Sequence, residues 1–206
     1  MTRFHAVKAV AFDCFGTLVH FSLPPEAFAR VLESRRRHDL PARDVMRRRW
    51  TLFEAAEAFE ANLGDAELLA LQERLDAEIA SVELFPETRD TLLTLREQGY
   101  RVAVCSNLAM PYARAVDRLV SDLIDARTWS FNVGATKPSP VIYSALCESV
   151  RCPPAEVLMV GDSLHADYQG ALDAGLAALH LVRTGSPSGM HQVRTLAEVP
   201  AMLKKC

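Results

Sequence analysis

Residues 10–18 read VAFDCFGTL, a short apolar run that ends at Asp13 and is followed three positions later by a glycine. The apolar run predicts a buried β-strand, and Gly16 permits a tight turn directly after it. Asp13 would then lie at the carboxyl end of the strand, where it could act as a nucleophile or a metal ligand. Because an aspartate in this position is more often a turn residue, the other strand ends have to decide between the two interpretations.

Four further apolar runs alternate with segments of helical period. Gly99 and Gly175 end two of these segments, and Ser139 followed by Pro140 begins a third, which indicates helices. Strands that alternate with helices predict right-handed crossovers and an α/β fold with a Rossmann-like parallel sheet as its core. In such sheets the site lies beyond the carboxyl ends of the strands. The predicted strands are residues 8–13, 101–107, 129–133, 157–163 and 177–183, and the predicted helices include 87–98 and 164–174.

Residues 20–83 differ from this pattern, because they contain no strand-like run and are rich in Ala, Leu, Arg and Glu. Apolar residues at positions 68, 69, 71, 75 and 79 form a stripe at helical spacing. We therefore predict a helical cap over 20–83, inserted into an α/β core made of residues 1–19 and 84–206. Pro24-Pro25 and Phe85-Pro86 are the expected hinges, since proline interrupts helices. In the tail, we expect a loop at 185–189 and a short helix over 196–203.

Composition restricts the class of partner. The chain has 206 residues, of which 50% are apolar, and a formal net charge of −3. That charge does not favour binding to nucleic acid or to an anionic membrane surface. No apolar stretch is long enough for a membrane span or a signal peptide. The five cysteines are odd in number and form no CxxC pair, which favours a reducing compartment, and we expect a cytoplasmic protein that acts on a small molecule. The sequence does not predict the oligomeric state.

Polar residues also lie at the end of the second predicted strand and before a predicted helix start. Ser106 and Asn107 end the second strand, where a hydroxyl and backbone N–H groups could bind the oxygens of an anionic substrate. Lys137 precedes a helix start and could neutralise charge on the nucleophile and on the transferred group. Taken alone, a Ser-Asn pair is usually a turn and a lysine is usually a solvated surface residue.

The fourth predicted strand supplies two carboxylates, Asp162 and Asp167. Two acids close to a third are costly unless a cation neutralises them, and a sparse set of hard oxygen ligands suits Mg²⁺. We therefore expect a Mg²⁺ ion beside Asp13. The alternative is that Asp162 only caps the helix that follows it.

In this order and at these separations, the motifs Asp-x-x-Gly-Thr-Leu, Ser-Asn, Val-Gly-x-x-Lys-Pro and Gly-Asp-Ser-x-x-x-Asp resemble those of the haloacid dehalogenase-like hydrolases with a helical cap. The resemblance extends from about residue 7 to about residue 183. It implies a covalent mechanism in which Asp13 attacks the electrophile. It also implies that Thr17, Ser106 and Asn107 bind the transferred group and that Lys137 orients it. Mg²⁺ would be held by Asp13, Asp162 and the backbone carbonyl of Phe15. Asp167 would be a metal ligand, or a partner of Lys137 or of a metal-bound water.

Phe15 departs from the pattern of the phosphatases in this family, which have an aspartate two positions after the nucleophile. That aspartate protonates the leaving oxygen and later activates water, and a phenylalanine cannot move a proton. The 2-haloacid dehalogenases of the family carry an aromatic residue at this position, need no Mg²⁺ and lack an acid equivalent to Asp162. The first motif therefore resembles a dehalogenase, whereas the fourth resembles a phosphatase.

We give more weight to Asp162, because Phe15 can offer its backbone carbonyl to a metal whatever its side chain. The expected activity is that of a Mg²⁺-dependent phosphatase for a small phosphorylated metabolite. The alternatives are a metal-independent 2-haloacid dehalogenase and a catalytically weak binding or regulatory member of the family. His165 is expected to be an exposed helix residue. The arginine runs at 35–37 and 47–49 are expected on solvated helix faces.

Overall fold

The computed structural model describes residues 4–185, 189 and 191–203, and its core is a six-stranded parallel sheet. The strand order is β5-β4-β1-β6-β7-β8. The predicted α/β fold with a Rossmann-like sheet is thereby confirmed. The strands of this sheet are β1 (Ala9–Phe12), β4 (Arg101–Ser106), β5 (Ala126–Trp129), β6 (Val157–Gly161), β7 (Ala177–Leu181) and β8 (Gln192–Val193).

The register of the three central strands aligns their carboxyl ends. Phe12, the last residue of β1, pairs with Val104 in β4 and with Val160 in β6. The residues that directly follow these strands therefore meet at one edge of the sheet, which is where Asp13, Asn107 and Asp162 lie.

Both faces of the sheet are covered by helices, as expected for a parallel sheet. Alternate residues of β1 point to opposite faces: Val10 and Phe12 pack with residues of one helix layer, and Ala9 and Ala11 pack with residues of the other. The first layer includes α4 (Thr88–Glu97) and α5 (Ala113–Val120), and the second includes α7 (Pro140–Val150) and α8 (Gly170–Asp173).

The third predicted strand, 129–133, is wrong in its position. The strand is Ala126–Trp129, and residues Ser130–Val133 form the short helix α6, which ends at Gly134 with a positive φ of 77°. The reason lies in the edge position of β5, where polar side chains are tolerated: Arg127 pairs with Asp117 and the Thr128 hydroxyl contacts Ser149. An edge strand that carries polar residues has no continuous apolar run to reveal it.

The predicted helix starts and ends agree with the structure more closely. α4 lies within the predicted 87–98, and α7 begins at Pro140 with the Ser139 hydroxyl accepting from the Val141 N–H. The predicted helix 164–174 is only partly regular, because Leu164–Gln169 form a π-helix before α8. π-Helical turns are frequent at functional sites, and this one carries Asp167.

The segment between β1 and α4 contains most of the remaining helices. A two-stranded antiparallel ribbon joins it to the core, with β2 (Val19–Phe21) paired to β3 (Val82–Leu84). The prediction that 20–83 has no strand is wrong at both ends, because strands of three residues are too short to show a period. We call residues 22–81 the helical insert. It contains α1 (Ala27–Glu33), α2 (Leu52–Ala58) and α3 (Asp65–Ala80).

The arginine runs do not lie on helix faces as predicted. Residues 35–37 follow the end of α1, and residues 47–49 follow a 3₁₀ turn at Ala42–Met46, before α2 begins. The loop predicted at 185–189 falls largely on residues 186–188, outside the described residues. The predicted tail helix is a 3₁₀ turn at Leu196–Glu198 followed by α9 (Val199–Leu203). Within the described chain, no helix combines the length and apolarity that crossing a membrane requires.

Candidate active site

Asp13 lies at the mouth of the sheet, directly after the central strand β1. Its backbone N–H donates to the carbonyl oxygen of Val160 on β6 at 2.9 Å, which extends the pairing of the two strands by one residue. The carboxylate is largely buried, with 12% of the side chain exposed. The backbone of Asp13 is therefore held by the sheet, and its side chain is presented at the sheet edge.

Lys137 connects the carboxylates of two different strand ends. Its Nζ lies 2.8 Å from Oδ1 of Asp13, 2.5 Å from Oδ1 of Asp167 and 2.7 Å from the carbonyl oxygen of Cys105. Burial alone would lower the pKa of this amine, but the charges of Asp13 and Asp167 outweigh burial and raise it. Lys137 therefore stays protonated and forms a buried ion triad with the two acids, contrary to the usual solvated lysine.

Asp167 is held by two donors. Oδ1 accepts from Lys137, and Oδ2 accepts from the backbone N–H of Ser163 at 3.0 Å. Burial raises the pKa of Asp167 to about 6, although Lys137 opposes the shift and Asp13 adds to it. A Cβ atom at Gly161 would lie 2.2 Å from Oδ2 of Asp167, so the glycine at the end of β6 makes room for this carboxylate.

Asp162 completes the acidic cluster. Asp162 is exposed as a residue, but partial burial of its carboxyl group, followed by the charge of Asp13, raises the pKa of Asp162. A Cβ atom at Gly16, whose φ is +85°, would lie 2.3 Å from Oδ2 of Asp162. The glycine is thus needed both for its backbone conformation and for the close approach of the carboxylate. The alternative in which Asp162 caps the following helix is not what the structure shows, because the Ser163 hydroxyl accepts from the Ala166 N–H instead.

The three carboxylates suit a divalent cation. Ligand oxygens of Asp13, Asp162 and Asp167 all lie within 4.8 Å of one another, and Lys137 is bonded to two of these acids. One lysine leaves two negative charges in the cluster unbalanced, and carboxylate oxygens are the ligands that Mg²⁺ prefers. Since Lys137 contacts Asp13 and Asp167, the other oxygen of Asp13 and the carboxylate of Asp162 are the groups that would hold a metal. The carbonyl of Phe15 as a further ligand stays a prediction.

Asn107 has a role that the sequence does not reveal. Its side-chain Oδ1 accepts from the backbone N–H of Lys137 at 2.7 Å, and its Nδ2 donates to the carbonyl of Lys137 at 2.9 Å. Both ends of the amide are therefore engaged in positioning the lysine. The predicted contact of Asn107 with the transferred group stays a prediction, as does that of the neighbouring Ser106, which is buried at the same strand end.

Thr17 is fully buried, and its hydroxyl lies 3.5 Å from Oδ1 of Asp162. This places the side chain against a metal-ligand candidate. The predicted contact between Thr17 and the transferred group stays a prediction.

Arg183 supports the turn after Asp13, a role that the sequence does not reveal. From the end of β7, its guanidinium donates to the carbonyl oxygens of Gly16 at 3.0 Å and Thr17 at 2.6 Å. It also pairs with Glu87 at 2.8 Å and lies 3.4 Å above the ring centroid of Phe85. This arginine thus ties the turn that carries the site to the start of α4. Nothing in the local sequence around residue 183 indicates these contacts.

An apolar pocket of about 270 Å³ lies beside this cluster, between the core and the helical insert. Phe15 and Asn107 line it on the core side, and Phe21 and Phe28 line it further along the chain. The insert contacts the core next to this pocket, because the Ser130 hydroxyl donates to the carbonyl of Met46 at 2.6 Å. The pocket is therefore lined by residues that follow Asp13 and β4 in the chain.

Comparison with known proteins gives relatives with both chemistries. Residues 7–175 match the sequence profile of the haloacid dehalogenase-like hydrolases. The chain is 30% identical over 158 residues to a ribulose-1,5-bisphosphate 5-phosphatase of Halopiger xanaduensis, a match that covers 73% of this chain and 66%, just under two thirds, of that enzyme. It is 26% identical over 227 residues to (S)-2-haloacid dehalogenase 4A of Burkholderia cepacia, covering 97% and 96% of the two chains.

The fold also resembles solved structures of this family. A HAD phosphatase from Thermococcus onnurineus superposes with a TM-score of 0.67 at 26% identity, covering 96% of this chain and 98% of that one. The family profile covers more than half of the chain, and it includes all the strand ends that build the acidic cluster. The chain belongs to the haloacid dehalogenase-like hydrolases.

Proposed function

We propose that the chain is a Mg²⁺-dependent phosphatase that transfers the phosphoryl group of a small phosphorylated metabolite to Asp13 and then to water. The observation that carries the proposal is Asp162, whose carboxylate lies within 4.8 Å of Asp13 and Asp167. A halide leaves without a metal, so dehalogenation gives no reason for a third acid here. Phosphoryl transfer gives a reason for a third acid, because a metal held by these acids would neutralise both their charge and that of the substrate.

Asp13 is the nucleophile in this proposal. Oδ1, which accepts from Lys137, attacks phosphorus, and the other carboxylate oxygen is the one that would hold the metal. A bond forms between that oxygen and phosphorus while the bond to the leaving oxygen breaks, and the leaving oxygen keeps the electron pair. Mg²⁺ held by Asp13 and Asp162 would supply charge neutralisation at the transferred group.

The remaining residues position the reacting groups. The Ser106 hydroxyl and the backbone N–H of Asn107 bind phosphoryl oxygens at the end of β4. Lys137 faces the same group, and Asn107 and Asp167 hold it there through its backbone and its amine respectively. Water then attacks the phosphorus of the aspartyl phosphate, which releases phosphate and regenerates Asp13.

Phe15 gives this site no proton donor two positions after the nucleophile. The leaving oxygen must therefore take its proton from solvent or leave as a stable anion. The proposal accordingly favours substrates whose leaving group needs little protonation.

Residues 20–83, which include the helical insert, are proposed to act as the cap of the enzyme, and residues 1–19 and 84–206 as its core. The apolar pocket between insert and core supports this division, because it opens beside Asn107 and Phe15. We also propose a cytoplasmic location, on the basis that Cys14, Cys105, Cys147 and Cys152 are free and buried.

A 2-haloacid dehalogenase is the second candidate, since Phe15 is aromatic and one relative with that name matches 97% of the chain. An assay panel of aryl phosphates, acyl phosphates, alkyl phosphates and 2-chloropropionate, each with Mg²⁺ and with EDTA, separates the two. We expect Mg²⁺-dependent phosphate release that Asp162→Asn abolishes and that Asp173→Asn, an exposed acid on α8, leaves unchanged. Halide release in EDTA without phosphate release would overturn the proposal.

A further inference from the structure

The pocket between core and insert is lined by aromatic rings. Phe15 stacks on Phe21 with a centroid distance of 4.3 Å and an interplanar angle of 9°. Tyr112 packs edge-on against both, at 6.0 Å from Phe15 and 5.3 Å from Phe21, and Phe28 lies 6.0 Å from Tyr112. These four rings form one continuous cluster, which we call the aromatic cage.

The aromatic cage has few hydrogen-bonding groups to offer a ligand. None of the described residues that line the pocket is charged. The Tyr112 hydroxyl donates to Oε2 of the fully buried Glu78 at 2.6 Å, and the Asn107 amide is bonded to the backbone of Lys137. Sugar hydroxyls or a second acidic group would lose their hydration here without replacement, which is costly.

The size of the pocket suits one ring. Its volume is about 270 Å³, whereas an apolar protein cavity of ~150 Å³ is sufficient to bind benzene. An aromatic ligand would also gain edge-to-face and stacked contacts with the rings that surround it.

The position of Phe15 adds a second, independent argument. It belongs to the aromatic cage and also occupies the place where a proton donor is missing. A phenolate is a stable leaving anion that takes its proton from water after departure, whereas an alkoxide needs a donor during departure.

We propose that the natural substrate is a monocyclic aryl phosphate whose ring binds in the aromatic cage. The inference rests on the proposed phosphatase activity and names its substrate class. The ester bond between phosphorus and the phenolic oxygen breaks, Asp13 receives the phosphoryl group, and the phenolate leaves with the electron pair and is protonated by water.

The first test compares substrates in the wild-type protein with Mg²⁺. Phenyl phosphate, benzyl phosphate and phosphoglycolate separate ring binding from leaving-group chemistry, because benzyl phosphate has the ring but an alkoxide leaving group. We expect phenyl phosphate to have the highest kcat/KM. Benzyl phosphate should share its low KM with a lower kcat, and phosphoglycolate should have the highest KM. A higher kcat/KM for phosphoglycolate than for phenyl phosphate overturns the aryl assignment while leaving the phosphatase proposal intact.

The second test uses variants. Phe28→Ala should reduce the preference for phenyl phosphate over phosphoglycolate roughly tenfold, because it removes one ring of the aromatic cage. Phe28→Leu keeps most of the side-chain volume and therefore tests the loss of the ring with less risk of misfolding. Phe53→Ala on α2 is the matched control, since Phe53 is 42% exposed and lies outside the pocket. An unchanged preference in both Phe28 variants overturns the inference.

The third test does not depend on turnover. Calorimetry with Mg²⁺ compares benzylphosphonate with phosphonoacetate, two probes that the protein cannot hydrolyse at an ester bond. Tighter binding of benzylphosphonate supports the aromatic cage as the site that binds the ring. If no ester is hydrolysed, the phosphatase proposal and the assignment of an aryl phosphate as substrate fall together, whereas the ring site stands. Tighter binding of phosphonoacetate, or no binding of either, overturns the inference.

Discussion

The ring of Phe15 stacks nearly parallel on the ring of Phe21, with 4.3 Å between the centroids. Phe21 is the last residue of the ribbon strand that leads into the helical insert. Phe15, two positions after the proposed nucleophile Asp13, thus packs against the ribbon that joins the insert to the core. The side chain at this position is therefore engaged in ring stacking, and under the proposed function the site has no proton donor there.

Because a proton donor is missing beside Asp13, the rate of hydrolysis should depend steeply on the leaving group of the substrate. General acid catalysis contributes roughly 10²–10⁴ in rate, so alkyl phosphates should react far more slowly than aryl or acyl phosphates. Phe15→Asp should restore a carboxylate and raise alkyl phosphate hydrolysis relative to aryl phosphate hydrolysis. Steady-state kinetics over a series of leaving groups measures both effects.

Phe15→Leu is the matched control for lost ring stacking, because it removes the ring without adding a carboxylate. Circular dichroism should show that all three proteins are equally folded. Equal rates for alkyl and aryl phosphates in the wild-type protein would mean that another group donates the proton.

The stability of the metal-free protein should depend on Asp167 and on pH. Burial raises the folded-state pKa of Asp167 from 3.8 to about 6, so the folded protein binds more protons than the unfolded chain between these values. The contribution of this group is therefore fully present below about pH 4 and is lost as pH rises through about 6, by roughly 2–3 kcal/mol. Thermal unfolding in EDTA measures the change.

Asp167→Asn provides the reference, because it cannot titrate. As pH rises through about 6, the Tm of the wild type should fall relative to the Tm of Asp167→Asn. Mg²⁺ should offset that loss, since a cation favours the ionised cluster. A pH-independent difference in Tm would contradict the proposed environment of Asp167.

Glu78 should stabilise the contact between insert and core. It is fully buried in α3, where Oε1 accepts from the N–H groups of Glu26 and Ala27 and Oε2 accepts from the Tyr112 hydroxyl. Glu78→Ala leaves these buried donors without their acceptor, removes one of the partners of Arg74, and should lower the free energy of unfolding by about 3 kcal/mol. Urea unfolding measures this value.

Glu73→Ala, at an exposed position of the same helix, controls for helix propensity and should change the free energy of unfolding by less than about 0.5 kcal/mol. If the two variants unfold alike, Glu78 does not hold the insert against the core.

The strand ends were the predictable part of the site. Asp13, Lys137, Asp162 and Asp167 were all expected at one edge of a parallel sheet, and the structure brings their charged groups together. This works because apolar runs reveal buried strands, and the carboxyl ends of parallel strands must meet. Arg127 and Thr128 interrupt the apolar pattern of the edge strand β5, which is why its position does not follow from the sequence.

Contacts between distant segments were not predictable. Glu78 belongs to the face of α3 that also carries the buried Leu75 and Ile79, yet its carboxylate accepts from the start of α1 and from Tyr112. Arg183 contacts Gly16 and Thr17, more than 160 positions away in the chain. Such pairings depend on how the finished elements pack, and no local period or motif records them.

The most direct test of the account is mass spectrometry of protein that is mixed with an aryl phosphate and Mg²⁺, quenched in acid within the first turnover and digested. We predict a phosphorylated peptide whose modification maps to Asp13, which disappears with longer reaction times and is absent in Asp13→Asn. Asp39→Asn, an exposed aspartate of the insert, should form it normally. Phosphate release without any modified Asp13, or retained turnover in Asp13→Asn, would contradict the covalent mechanism.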